Sequence, residues 1–263
     1  MNCTISSIHY CPVKSVSFQS VDSCEIKKNI GIVGDRIFAF SKGLDKNRVK
    51  LFEKNPEERK GKWNKILTLK NSPVLNKYNF IFKDNNLTLT FEDKEILTID
   101  INQLSEREEL ANKIVELENS LKEPIVLMKN KEFPFFDTSV SNKVDFTNSI
   151  SLLNIQSIND FQNKIDKKFE ISRFRGNIYV DGITAWEERN WIGKIIKIKN
   201  ISFKVEKNIP RCVAINLKPK TDDNSLNLLK SLKKTYNHFD MGIYLTSLDD
   251  GKIEIGNKIE ITK

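Results

Sequence analysis

The run Leu87-Thr88-Leu89-Thr90-Phe91 alternates apolar and polar side chains with a period of two, and Lys83-Asp84-Asn85-Asn86 stands just before it. Such a period belongs to a strand with one buried face, and the Asp-Asn tetrapeptide to a hairpin turn. Short runs rich in β-branched and aromatic residues recur over the first hundred positions, at 5–10, 21–26, 36–40, 66–69, 78–82 and 95–99. This spacing predicts a small antiparallel barrel or sandwich. Between the runs, residues 41–63 are polar and charged and are broken by Gly43, Pro56 and Gly61, which reads as a long mobile loop.

Helical spacing begins at Ser105, where Ser105 and Glu108 form a capping box ahead of Leu110, Ile114, Leu117 and Leu121, and Pro124 stops the helix after Lys122. Residues 125–128 return to strand, and 129–148 form either a domain linker or a site-lining loop. The second half predicts strands at 150–153, 178–180, 195–198, 201–205, 213–217, 241–245, 252–255 and 258–261. A helix opened by Ser157 carries Ile158, Phe161 and Ile165 on one face, and another, capped by Asp223-Asn224-Ser225, turns Leu226, Leu229 and Leu232 inward. The expected fold class is mainly β with a few helices. Both halves read as predominantly β, the first as a small barrel or sandwich, with a boundary between about residues 100 and 135.

No apolar run approaches the roughly 20 residues of a membrane span, and the first residues resemble neither a secretory signal nor an anchor. The expectation is a cytoplasmic protein with no membrane partner. A net charge of +8 comes from 43 basic and 35 acidic residues scattered along the chain. A solvated basic surface, with no nucleic-acid partner, fits that scatter better than a binding face. The cysteines Cys3, Cys11, Cys24 and Cys212 form no Cys-x-x-Cys pair, so reduced thiols are expected, and two histidines exclude a histidine-rich metal site.

Walker, Gly-x-Gly-x-x-Gly, Gly-x-Ser-x-Gly and His-Glu-x-x-His patterns are missing, which leaves thiol, arginine and lysine chemistry. Cys212 follows Arg211 and Lys207, cations that favour a thiolate able to ligate a metal; a free cysteine also suits a small core position at the start of a strand. Arg173 and Arg175 alternate along an apparently extended segment, which would point both to one face and suit an oxyanion. The same pair would serve as surface partners for Asp181, Glu187 or Glu188. Lys14 and Ser15, after Pro12, could hold an anionic group or form an ordinary turn. Arg36 enters a strand beside Asp35, its simplest ion-pair partner. Trp186 and Trp191 read as packing residues.

Taken in order, Pro12-Val13-Lys14-Ser15, Gly34-Asp35-Arg36, Arg173-Phe174-Arg175-x-Asn177, Trp191-x-Gly193, Arg211-Cys212, Pro219, Gly242 and Gly251-x-Ile253-x-Ile255-Gly256 resemble the MOSC domain family. Within it, the chain is most similar to the subgroup with an N-terminal β-barrel domain that contains the amidoxime-reducing proteins. The resemblance implies a small N-terminal β-barrel-like domain over residues 1–115 and a second β-barrel domain, the MOSC domain, over residues 116–263, which binds the molybdenum cofactor (molybdopterin), with Cys212 as metal ligand and catalytic residue. It places Lys14, Ser15, Arg36, Arg173, Arg175, Asn177 and Arg211 around the pterin and its phosphate, and Thr147 and Asn148 near the metal end. Asp137 or Asp145 would match an aspartate that relatives place near the metal. Pyridoxal phosphate binding is associated with the family only as a general term. The implied reaction is two-electron reduction of a small N-hydroxylated substrate, an amidoxime or hydroxylamino purine. Its electrons would come from a separate donor protein: a ferredoxin, a flavodoxin, or a small cytochrome with its reductase. The alternative is a carrier of the molybdenum cofactor, or of its sulfurated form, without turnover. After Cys212, relatives often show two threonines and an acidic residue; here the chain reads Val213-Ala214-Ile215-Asn216-Leu217-Lys218.

Overall fold

β1 (Thr4–Tyr10) buries Ile5 and Ile8 while Ser6 faces out, and the odd three-residue interval is carried by a bulge, a register shift between Ile5 and Ser7, that returns Ile8 to the inner face. The computed structural model describes residues 2–16, 18–59, 61–121, 124–132, 134–136 and 149–262. After β1 come β2 (Gln19–Val21), β3 (Ser23–Lys27), β4 (Gly31–Ile32), β5 (Phe38–Lys42) and helix α1 (Lys46–Lys54). The meander β6 (Tyr78–Lys83), β7 (Asn86–Phe91) and β8 (Lys94–Asp100) leads to α2 (Leu104–Leu117) and β9 (Ile125–Lys129). The second half holds β10 (Ile150–Asn154), α3 (Ile155–Lys164), β11 (Ile178–Asp181), β12 (Ile195–Ile198) and β13 (Ile201–Pro210). It closes with α4 (Leu228–Tyr236), β14 (Asp240–Ser247), β15 (Gly251–Glu254) and β16 (Ile259–Thr262).

The protein is mainly β with a few helices, as expected. An eight-stranded sheet runs β16-β12-β13-β14-β10-β11-β1-β2. Its ends approach each other through a bridge between Thr4 and Lys258 and backbone bonds such as Ile259 N to Cys3 O at 2.9 Å, so the sheet curls without a continuous ladder closing it. Smaller sheets are β15-β3-β4, β5-β9 and β6-β7-β8. Strand pairing thus crosses the middle of the chain: β1 pairs with β11, and β3 with β15. One core, with Ile5, Ile8, Trp191, Phe203 and Leu245, fills the large sheet. A second, with Phe38, Phe40, Phe80, Leu89 and Ile114, lies where β5 and β9 meet the meander and α2. Among the described residues no helix is long and apolar enough to cross a membrane.

Several expectations are corrected. The described residues within 41–63 hold a helix and a 3₁₀ turn rather than one long loop. Asp45 caps α1, accepting from Asn47 N and Arg48 N at 2.9 Å each, and Val49 and Phe52 pin the helix to the core at i,i+3 spacing. Helix α2 starts at Leu104 without a side-chain cap and ends at Leu117; Glu106, rather than Ser105 with Glu108, secures the entry by accepting from Asp100 N at 2.6 Å. Asn154 caps α3 and Asn227 caps α4, which leaves Ser157 free to donate to the buried Glu188 at 2.8 Å. Of residues 66–69 only Ile66 bridges, to Ser41. Residues 213–216 form a 3₁₀ turn, Val213–Asn216, because the backbone turns at the edge of a cavity instead of pairing.

Candidate active site

The turns that end β1, β13 and the 3₁₀ segment Ile171–Phe174 converge on a cavity of ≈ 170 Å³. Lys14, Ser15, Arg36, Arg175, Asn177, Arg211 and Cys212 all line it, as do Phe136, Ser151 and Tyr244. Seven of the residues singled out by sequence are therefore brought together from four separate stretches. Arg173 is not among them, and Thr147, Asn148, Asp137 and Asp145 lie outside the described residues.

The two arginines do not alternate on a strand. Arg173 sits in the 3₁₀ turn and Arg175 follows it at φ 52°, so the chain reverses between them. Arg173 turns into the protein, donating from Nε to Glu170 at 2.8 Å and from Nη1 to Asn216 O at 2.6 Å. It thereby ties the Ile171–Phe174 turn to the turn that follows Cys212. Arg175 reaches the cavity, with its Nη2 on Val16 O and its guanidinium 4.7 Å over the Phe18 ring. A Cβ at Gly176 would meet Leu153 Cδ1 at 2.2 Å and the Tyr179 ring at 3.2 Å, so a larger residue there needs those side chains to shift.

Arg36 is likewise not in a strand. It takes φ 53° in the turn before β5, pairs with Asp35, and lies 4.9 Å from the Phe136 ring and 5.3 Å from Phe18. Asp35 is buried and joins three segments, accepting from Cys11 N at 2.7 Å, from Asn177 Nδ2 at 3.1 Å and from Arg36. Burial pushes its carboxyl above the usual range, with the Arg36 charge opposing. Asn177 completes the joint: Nδ2 also donates to His9 O at 3.1 Å, and Oδ1 accepts from Ser151 N at 3.1 Å and Ser151 Oγ at 2.8 Å. Its amide is fully engaged within the frame.

Arg211 behaves as a frame residue too. Nε donates to Met241 O at 2.9 Å, Nη1 to Phe174 O at 2.8 Å, and Nη2 again to Met241 O. Gly242 (φ +79) lets the strands close there, since a Cβ would stand 2.5 Å from Leu152 O. Burial lowers the pKa of both Arg211 and Arg175.

Cys212 is exposed, whereas Cys3 and Cys11 are buried, and all four cysteines are free. Burial pushes the Cys3 and Cys24 thiols up to about 12, which removes them as thiolates. Among the described residues no group of three or more His, Cys, Asp or Glu side chains is placed to hold a metal ion. The described lining contains one soft donor, several cations and no carboxylate. The aromatic faces of Phe18 and Phe136 and the joint at Asp35 were not assigned roles from sequence. Phe136 falls in a stretch without periodicity, where nothing marks it; the Gly-Asp-Arg order did show the Asp35–Arg36 pair.

Residues 140–260 match the model of the MOSC domain. Over that stretch the chain is similar to the MOSC domain family. The chain is similar to mitochondrial amidoxime reducing component 2 of Bos taurus, at 27% identity over 161 residues. That match covers 57% of this chain and 46% of the relative, a little under half of its length. Among solved structures, the YUAD protein from Bacillus subtilis is 12% identical with a TM-score of 0.45, covering 99% of this chain and 96% of that one. YiiM from Geobacillus stearothermophilus is 18% identical with a TM-score of 0.35, covering 43% and 54%.

Proposed function

We propose that the MOSC domain binds the molybdenum cofactor at this cavity and that the protein reduces N-hydroxylated compounds. The observation that carries the reading is the meeting of exposed Cys212 with Lys14, Arg36, Arg175 and Arg211 around a cavity without a carboxylate in its described lining. One thiol is too few ligands for a bare metal ion, but it suits a metal that arrives with cofactor sulfurs. The cations and the Ser15 hydroxyl suit the phosphate and heteroatoms of such a cofactor.

In this reading Cys212 is the metal ligand, and Lys14, Ser15, Arg36 and Arg175 hold the anionic part. Asn177 and Arg211 keep those groups in place, and Arg173 fixes the turn beneath them. Thr147 and Asn148 precede Ser149, which lines the cavity, and their contact with the metal end is part of the proposal. When bound, the cofactor supplies two-electron oxygen-atom chemistry. An amidoxime then takes up two electrons and two protons, its N–O bond breaks, and an amidine and water leave. Electrons come from a separate donor protein.

The test is molybdenum and pterin analysis of protein purified from a cofactor-producing host, beside amidoxime reduction with a chemical reductant. Cofactor and turnover, both lost in Cys212→Ser, are expected. Cofactor without turnover on a panel of N-oxygenated compounds would favour a carrier; absence of molybdenum and pterin would sink both.

A further inference from the structure

Beside Cys212 the surface carries two large apolar side chains in water, Val213 at 45% exposure and Phe239 at 41%. The Phe239 carbonyl accepts the Arg211 N–H at 2.8 Å, which sets the Phe239 backbone beside the strand end that delivers Cys212. Helix α4 packs on the Val213–Asn216 turn, with Asn216 Oδ1 accepting from Leu229 N at 3.0 Å. That helix contains Lys230, Lys233 and Lys234 and no acidic residue, and all three lysines are exposed. Lys233 is held in place, 5.4 Å over the Phe239 ring and donating to Asn237 O at 2.9 Å. Lysines in a last helical turn complement the helix dipole, which accounts for Lys233 and Lys234 but not for Lys230 or for a phenylalanine left 41% exposed.

We propose that Val213, Phe239 and the α4 lysines form the docking surface for a small acidic electron-transfer protein. The inference rests on the reductase reading above, because each amidoxime reduced consumes two electrons that the substrate cannot supply. The donor is oxidised by two electrons in all, the N–O bond breaks, and the oxygen leaves as water with the protons. The lysine charges select an acidic partner and steer its approach. The apolar pair gives the contact a centre that can be desolvated, next to the residue at which electrons are needed.

The test uses the cofactor-loaded full chain and a reduced acidic plant-type ferredoxin with its reductase as probe. Lys230→Glu/Lys233→Glu/Lys234→Glu and, separately, Phe239→Ser should leave viologen-driven amidoxime reduction unchanged. Ferredoxin-driven kcat/KM should fall about tenfold or more at low ionic strength, and the gap for the lysine variant should close as salt is raised. Equal ferredoxin-driven rates in wild type and variants would overturn the docking surface. If viologen drives no turnover even in the wild type, the reductase reading fails instead. Calorimetric titration with oxidised ferredoxin then decides the surface by itself: binding lost in the lysine variant supports it, and no binding to the wild type overturns it.

Discussion

Arg211 and Arg175 line the same cavity, yet Arg211 directs its guanidinium into the carbonyls of Met241 and Phe174, whereas Arg175 makes one backbone bond and rests on an aromatic face. The same division separates Asn177, bonded on both amide atoms, from Arg36, which shares one carboxylate and lies between two rings. Residues of similar chemistry thus form a frame and a contact surface. Counting cations around a pocket does not distinguish the two; following each hydrogen bond does.

The largest effect is expected at the frame. Arg211→Ala leaves two backbone carbonyls short of partners and should destabilise the protein by about 3 kcal/mol in urea unfolding. Asn177→Ala, which frees Ser151 and Asp35, should cost about 2 kcal/mol. Asp35 gives the comparison a pH signature. Burial raises its folded pKa, so the folded state holds its proton more tightly, and stability declines as pH rises from the unfolded carboxyl value near ~4 through the folded one. Asp35→Asn should flatten that slope, read as the denaturant midpoint across the acidic range. On the contact surface, Arg175→Ala should change stability by less than about 1 kcal/mol, because loss of a desolvated charge offsets loss of its contacts, while retention of pterin and molybdenum falls at least about tenfold. Smallest of all, Cys212→Ser should shift stability by under about 0.5 kcal/mol, since the thiol is exposed, and still abolish metal retention. A large loss of stability in Arg175→Ala, or none in Arg211→Ala, would erase the distinction.

Strands whose neighbours are local were legible. The meander was readable from alternation at residues 87–91 and from Asp84 and Asn85, which take φ 49° and 64° at the turn. Seven of the residues singled out from sequence line one cavity and Arg173 does not, and the conformation of none of them was legible. Arg175 and Arg36 both occupy the left-handed region, at φ 52° and 53°, which no local pattern of arginine predicts. The backbone bonds Arg175 N to Ser172 O and Arg36 N to Cys11 O hold them there. Residues 213–217 look like a strand because they are apolar and branched, but Ile215 and Leu217 are buried in two different clusters and the backbone must turn between them. Helix α1 was readable in principle, through Asp45, Val49 and Phe52; the surrounding charges and glycines masked a three-residue signal.

The pairing of β3 with β15, where Cys24 faces Ile253, and the approach of Cys3 to Ile259 join the first thirty residues to the last fifteen. During synthesis, then, β1 is made well before β11 and β3 well before β15, so each keeps one edge waiting while its other edge pairs with β2 or β4. Until those partners are made, one edge of each strand stays unpaired, and the yield of folded protein should depend on what shields those edges in the interval.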